Sequence, residues 1–227
     1  MNSIASSASP ADVERARFNM VEQQIRPWDV LDPAVLDLLM RVHREDFVPP
    51  QHRSLAFADL EIPLGHGETM LAPKLEARML QELDLRPEDA VLEVGTGSGY
   101  MTALLAGLAR HVYSVDLVPE FTREAAPRLA AAGIRNVTLE TGDAARGWDK
   151  HGPYDAIVLT GSVPVLAENF QQSLKPGGRL LAVVGSAPVM QARLITCAGN
   201  NAFRSVTLFE TCIAPLKNAP QLQRFVF

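Results

Sequence analysis

Three observations predict an α/β protein with a doubly wound, mostly parallel seven-stranded sheet and a C-terminal antiparallel hairpin. From Ala90 onward, short apolar runs alternate with helical stretches. A glycine-rich turn joins the first run to the helix after it, and the last two runs have no helix between them. An N-terminal helical and loop extension precedes this pattern.

The elements follow in order. Residues 1–11 are rich in Ser and Ala, with neither a basic region nor an apolar one, so they read as a disordered tail and not as a secretory leader. Asp12 is positioned to cap a helix that carries Val13, Arg17, Met20 and Val21 and ends before Pro27. Asp32 and Pro33 form an N-cap and first-turn pair, after which Val35, Leu36, Leu38, Leu39 and Val42 recur at helical spacing. From Phe47 to Ala72 the residues Pro49, Pro50, Pro63, Gly65 and Gly67 predict an irregular stretch, and a loop of that length points to function. Pro73 opens a further helix, with Leu75, Met79, Leu80 and Leu83 on its apolar side, closing at Leu85 ahead of Pro87.

Strands are expected at 90–94, 111–116, 137–141, 154–160 and 179–185, the last after a Pro176-Gly177-Gly178 turn. Helices are expected at 100–109, 119–132 and 164–174. The runs 190–197 and 205–213, joined at Gly199-Asn200-Asn201, read as the closing hairpin. The early helices are too few to enclose a core, so residues 12–227 read as one domain, with 12–88 an extension packed on the sheet of 89–227.

Composition narrows the function. Of 227 residues, 47% are hydrophobic and 21% charged, the usage of a globular domain, and the net charge of −5 argues against a dedicated nucleic-acid surface. The longest apolar runs fall short of a membrane span, and no membrane partner is expected. Two cysteines, Cys197 and Cys212, form no C-x-x-C pair, which disfavours a metal site or a disulfide framework and suits a reducing, cytoplasmic setting.

The chemistry concentrates in Leu92-Glu93-Val94-Gly95-Thr96-Gly97-Ser98-Gly99-Tyr100, a strand entering a glycine turn that opens a helix. Neither register completes the G-x-G-x-x-G of a dinucleotide site: the last glycine would fall on Tyr100 or on Thr102. A nicotinamide oxidoreductase is therefore disfavoured. Asp116 ends the second strand about 20 residues beyond the first glycine, where a carboxylate meets ribose hydroxyls. Gly142-Asp143-Ala144 follows the third strand. Three such stations at the carboxyl ends of successive strands mark the ligand edge of an open α/β sheet.

An acidic residue two before G-x-G-x-G resembles the first motif of S-adenosylmethionine-dependent methyltransferases with a Rossmann-like sheet. That resemblance implies S-adenosylmethionine as cofactor and S-adenosylhomocysteine as product. It assigns Glu93, Gly95, Thr96, Gly97, Ser98 and Gly99 to the amino-acid end, Asp116 and Leu117 to the ribose, and Asp143 and Ala144 to the adenine. The stretch Leu159-Thr160-Gly161-Ser162-Val163-Pro164 lacks the Asn/Asp-Pro-Pro-aromatic box of amine-directed enzymes. The segments Phe47-Val48-Pro49, Leu55 to Asp59 and Ile62 to Thr69 instead resemble the protein-L-isoaspartate O-methyltransferase family. So do Gly147-Trp148, Tyr154-Asp155-Ala156-Ile157 and Pro215-Leu216, and the likeness runs from about Met20 to the end.

The resemblance implies methyl transfer to the carboxylate of isoaspartyl residues in damaged proteins, by a monomer or weak homodimer. Thr69 keeps its family place at the substrate and cofactor junction, while Leu71 stands where the family carries serine. A member with redirected or lapsed activity, acting as a cofactor-binding module, stays open as the alternative. His66 reads as a local hydrogen-bonding residue and Trp148 as packing, with Lys217, Arg26, Arg41 and Arg44 as solvated charge.

Overall fold

The computed structural model describes residues 9–200 and 202–221. Helix α1 (Pro10–Met20) begins three residues before the expected start, because Ser9 and not Asp12 caps it: Asp12 N–H donates to Ser9 Oγ at 3.2 Å and Asp12 answers as the third residue of a capping box. The expected tail therefore ends by Ser9, and residues 1–8 lie outside the described residues. A π turn (Val21–Ile25) and a 3-10 turn (Arg26–Trp28) carry the chain to α2 (Pro33–Arg41), whose first turn is capped by Asp32 Oδ1 accepting from Ala34 N–H at 2.8 Å.

The stretch expected to be irregular contains a 3-10 turn (Pro50–Leu55) and an antiparallel ribbon of β1 (Ile62–Gly65) and β2 (Glu68–Met70). Gly65, His66 and Gly67 all take positive φ, which reverses the chain tightly enough to pair Pro63 with Thr69. Helix α3 (Pro73–Leu83) follows, stopped by Asp84 in the left-handed region at φ 46°.

Strands β3 (Ala90–Val94), β4 (His111–Asp116), β5 (Val137–Thr141) and β6 (Tyr154–Leu159) are parallel, with α4 (Tyr100–Leu108) and α5 (Pro119–Ala131) as crossovers. Strands β7 (Leu174–Ser186), β8 (Val189–Gly199) and β9 (Ala202–Thr211) complete the sheet. Its order is β5-β4-β3-β6-β7-β8-β9, and β8 and β9 form the antiparallel hairpin at the sheet edge that the sequence predicts.

Two details differ from expectation. Pro176-Gly177-Gly178 lies inside β7, where the register against β6 slips between Tyr154 and Ala156, so the glycines form a bulge and not a preceding turn. The helix expected over 164–174 shrinks to α6 (Glu168–Gln172); just before it, Ser162 and Val163 bridge to Pro215 and Val184.

The extension has no core of its own. Ile25, Leu39 and Leu80 join Leu104, Val112 and Leu181 in one apolar cluster on the sheet face that α4 and α5 also cover. The other face buries Leu92, Ile157, Leu159 and Leu180 beneath Phe170 of α6. No described helix is long and apolar enough to cross a membrane.

Candidate active site

Strand order reverses at β3, which is flanked by β4 on one side and β6 on the other, and a cavity opens at the carboxyl ends of these strands. The turn after β3 forms its floor. Gly95 sits at φ 101°, and a Cβ there would come within 2.1 Å of Thr160 Oγ1. Only glycine fits both the backbone and the neighbour. Gly95, Thr96, Gly97 and Ser98 line the cavity, whereas Gly99 does not. Gly99 instead caps α4, where a Cβ would press on Ala125 Cβ at 2.9 Å, so its place is helix packing.

Glu93 also stays out of the cavity, contrary to the expectation from sequence. Side chains alternate along a strand, so Glu93 shares the α4 face with Val91. There its Oε2 accepts from Thr102 Oγ1 at 2.5 Å and from Ser114 Oγ at 2.6 Å, and Ser114 in turn meets Thr96 Oγ1 at 2.7 Å. Glu93 thus braces the glycine turn from behind. Full burial pushes its carboxyl up to about 8 against the pull of the two hydroxyls.

Asp116 and Asp143 both line the cavity, as do Leu117 and Ala144. Asp116 accepts from Gly97 N–H through Oδ2 and from Val118 N–H through Oδ1, each at 2.9 Å, and burial raises its pKa. Gly142 N–H donates to Asp116 O at 2.9 Å, tying the second station to the third. Asp143 accepts from Ala145 N–H at 3.1 Å and from Asn218 Nδ2 at 2.9 Å. Trp148 packs its ring on Gly142 and donates to Glu140 Oε2 at 2.7 Å, in keeping with a packing role.

The opposite wall comes from the ribbon: Leu64, Glu68, Thr69, Met70 and Leu71 line it. Thr69 Oγ1 donates to Glu61 Oε2 at 3.0 Å. Behind Leu71 lies Arg44, expected to be solvated charge but in fact fully buried. It donates to Ala56 O at 3.0 Å and Leu71 O at 2.6 Å, pairs with Glu76, and lies 4.9 Å over the Tyr100 ring. Glu76 reaches the cavity wall, and burial pushes its carboxyl up to about 7 in spite of Arg44.

Lys217 is exposed, as expected of solvated charge, but it is not unpartnered. It lines the cavity, with Nζ 2.7 Å from Glu68 Oε1 and donating to His66 O at 2.8 Å. Arg26, by contrast, pairs with Glu22 along an exposed helical turn, and Arg41 is exposed. His66 itself is exposed at the ribbon turn and does not line the cavity. Arg44, Glu76 and Lys217 carry no local sequence signature, since their roles depend on segments 27 to 151 residues away.

Three comparisons bear on this site. A family model described as protein-L-isoaspartate(D-aspartate) O-methyltransferase matches residues 15–218. Protein-L-isoaspartate O-methyltransferase 1 of Anaeromyxobacter sp. (strain Fw109-5) is 41% identical over 201 residues, spanning 88% of this chain and 95% of the relative. Protein-L-isoaspartate O-methyltransferase 2 of Pelobacter propionicus is 38% identical over 207 residues, 91% of this chain and 92% of the relative. A Plasmodium falciparum chain assigned as a protein-L-isoaspartate O-methyltransferase, crystallised with S-adenosyl-L-homocysteine, superposes with a TM-score of 0.76 at 21% identity, covering 90% of this chain and 97% of that one. That last likeness speaks to the fold.

Proposed function

The chain belongs to the protein-L-isoaspartate(D-aspartate) O-methyltransferase family, and from that premise we propose that it transfers the methyl group of S-adenosylmethionine to the carboxylate of isoaspartyl residues in damaged proteins. The observation that carries this reading is the single cavity lined at once by the glycine turn, Asp116, Asp143, Thr69 and Leu71. Bound there, S-adenosylmethionine supplies a sulfonium-activated methyl group. In this reading Gly95, Thr96, Gly97 and Ser98 hold the amino-acid end through main-chain and hydroxyl groups. Asp116 and Leu117 face the ribose, and Asp143 and Ala144 the adenine. Glu93 and Gly99 support the turn without touching the ligand.

The chain's own work is alignment. An isoaspartyl carboxylate is ionised at pH 7, so the site needs no general base. Holding it in line with the methyl group supplies up to about 7–11 kcal/mol in favourable intramolecular cases. Water-excluding walls such as Leu64, Met70 and Leu71 keep the meeting of opposite charges in a low dielectric. A second reading, transfer to another acceptor or cofactor binding alone, draws on Leu71, which offers no hydroxyl at the junction.

The deciding experiment is transfer of labelled methyl from S-adenosylmethionine to a matched pair of peptides, one with isoaspartate and one with aspartate. Labelling of the isoaspartyl peptide alone is the expected result. Equal or absent labelling of both, with S-adenosylhomocysteine still bound, would move the assignment to the second reading.

A further inference from the structure

A carboxylate held for methylation needs N–H or O–H donors that fix its plane. On the acceptor side of the cavity the side-chain donors are already committed. The Thr69 hydroxyl donates to Glu61, the Thr160 hydroxyl to the carbonyl oxygens of Val94 and Gly95, and the Leu71 side chain has none to give. The guanidinium of Arg44 is directed at Ala56 O, Leu71 O and Glu76.

Lys217 differs. It is the one cationic side chain lining the cavity among the described residues, and an ammonium carries three donors. Two are used, on Glu68 Oε1 and on His66 O; the third has no partner among the described residues. The segment that bears it is itself held, since Leu216 N–H donates to Ser162 O and Ser162 N–H to Ala214 O. A flexible four-carbon stem on a fixed backbone lets the charge reach toward the cavity without moving the fold.

We infer that Lys217 captures the acceptor's carboxylate, taking over the orienting contact that a hydroxyl at position 71 would make. Glu68 and the His66 carbonyl keep the ammonium in place before the acceptor arrives. Their hold is easily exchanged, because an ion pair this exposed is screened by solvent and contributes little. The inference rests on the isoaspartyl reading above. The ligand chemistry is a carboxylate, which the acceptor peptide and the methionyl end of the cofactor both present.

The test is equilibrium binding, in the presence of S-adenosylhomocysteine, of an isoaspartyl peptide and its aspartyl control to the wild type, Lys217→Met and Glu68→Gln. Affinity for S-adenosylhomocysteine alone is measured in parallel. We expect Lys217→Met to weaken the isoaspartyl peptide on the order of tenfold or more, the size of one charge-assisted hydrogen bond, with S-adenosylhomocysteine affinity unchanged. Glu68→Gln should bind the peptide at least as well as wild type, because it removes the competing negative charge but leaves the donor. Equal weakening by both variants would make Lys217 only a strut for the ribbon and overturn the proposal. Loss of S-adenosylhomocysteine affinity, with the peptide unaffected, would assign the carboxylate to the cofactor and overturn it too. A wild type that does not prefer the isoaspartyl peptide would instead remove the functional reading on which the inference stands.

Discussion

The buried guanidinium of Arg44 donates to the main-chain oxygen of Leu71 at 2.6 Å, so a cation from the N-terminal extension sets the position of a residue that lines the cavity. The ribbon wall of the cavity is therefore held from inside the core, through the same side chain that neutralises Glu76.

Removing that cation should be costly. Arg44→Met leaves Glu76 buried without its partner, and breaking a buried pair from one side costs about 3–5 kcal/mol. The double variant Arg44→Met with Glu76→Leu should regain much of the loss, since no buried charge remains. Guanidinium unfolding midpoints report both; a double variant no more stable than the single one would locate the cost elsewhere.

Leu71→Ser should raise kcat/KM for an isoaspartyl peptide severalfold by adding a donor at the junction, the gain expected of about one hydrogen bond. The same change removes a buried apolar side chain and should lower stability by about 2–4 kcal/mol. Binding of S-adenosylhomocysteine should hold steady. Unaltered turnover in a folded variant would deny position 71 any part in orienting the acceptor.

Gly95→Ala places a Cβ 2.1 Å from Thr160 Oγ1 on a backbone at φ 101°, and should reduce S-adenosylhomocysteine affinity on the order of tenfold or more. Gly133→Ala is the control: its φ is 77°, yet nothing lies within 4 Å, so it should cost about 1 kcal/mol in stability and nothing in ligand affinity. Calorimetric titration of both variants separates close approach from backbone strain.

Glu93 makes stability depend on pH in a direction opposite to a salt-bridged carboxylate. Its folded pKa is raised from 4.5 to about 8 by burial, so the folded state binds the proton more tightly than the unfolded one. That contribution is complete below 4.5 and fades as pH rises to about 8. Glu76 shares this trend, because it too is raised, to about 7. Glu93→Gln should therefore flatten the wild-type decline over this range without abolishing it. Thermal melts at intervals across it would show parallel curves if Glu93 were ordinary.

Much of this molecule is determined by local pattern. Apolar runs of five or six residues define β3 and β6, and Asp32-Pro33 starts α2 because the side chain and the ring act within one turn. The glycine turn is equally local, its conformation demanded by positive φ at Gly95, Gly97 and Gly99. Tertiary structure alone decided what depends on distant partners. Glu93 faces away from the cavity because strand alternation sends it toward Thr102, a contact that the G-x-G-x-G pattern does not encode. Ser162 and Val163 are extended because Pro215 and Val184, far along the chain, pair with them. Neither Arg44 nor Lys217 belongs to a motif that would tell them apart in sequence. One is sealed in the core by Leu71 and Glu76 and the other is poised at the cavity mouth, because a side chain's solvation is set by what the rest of the chain packs against it.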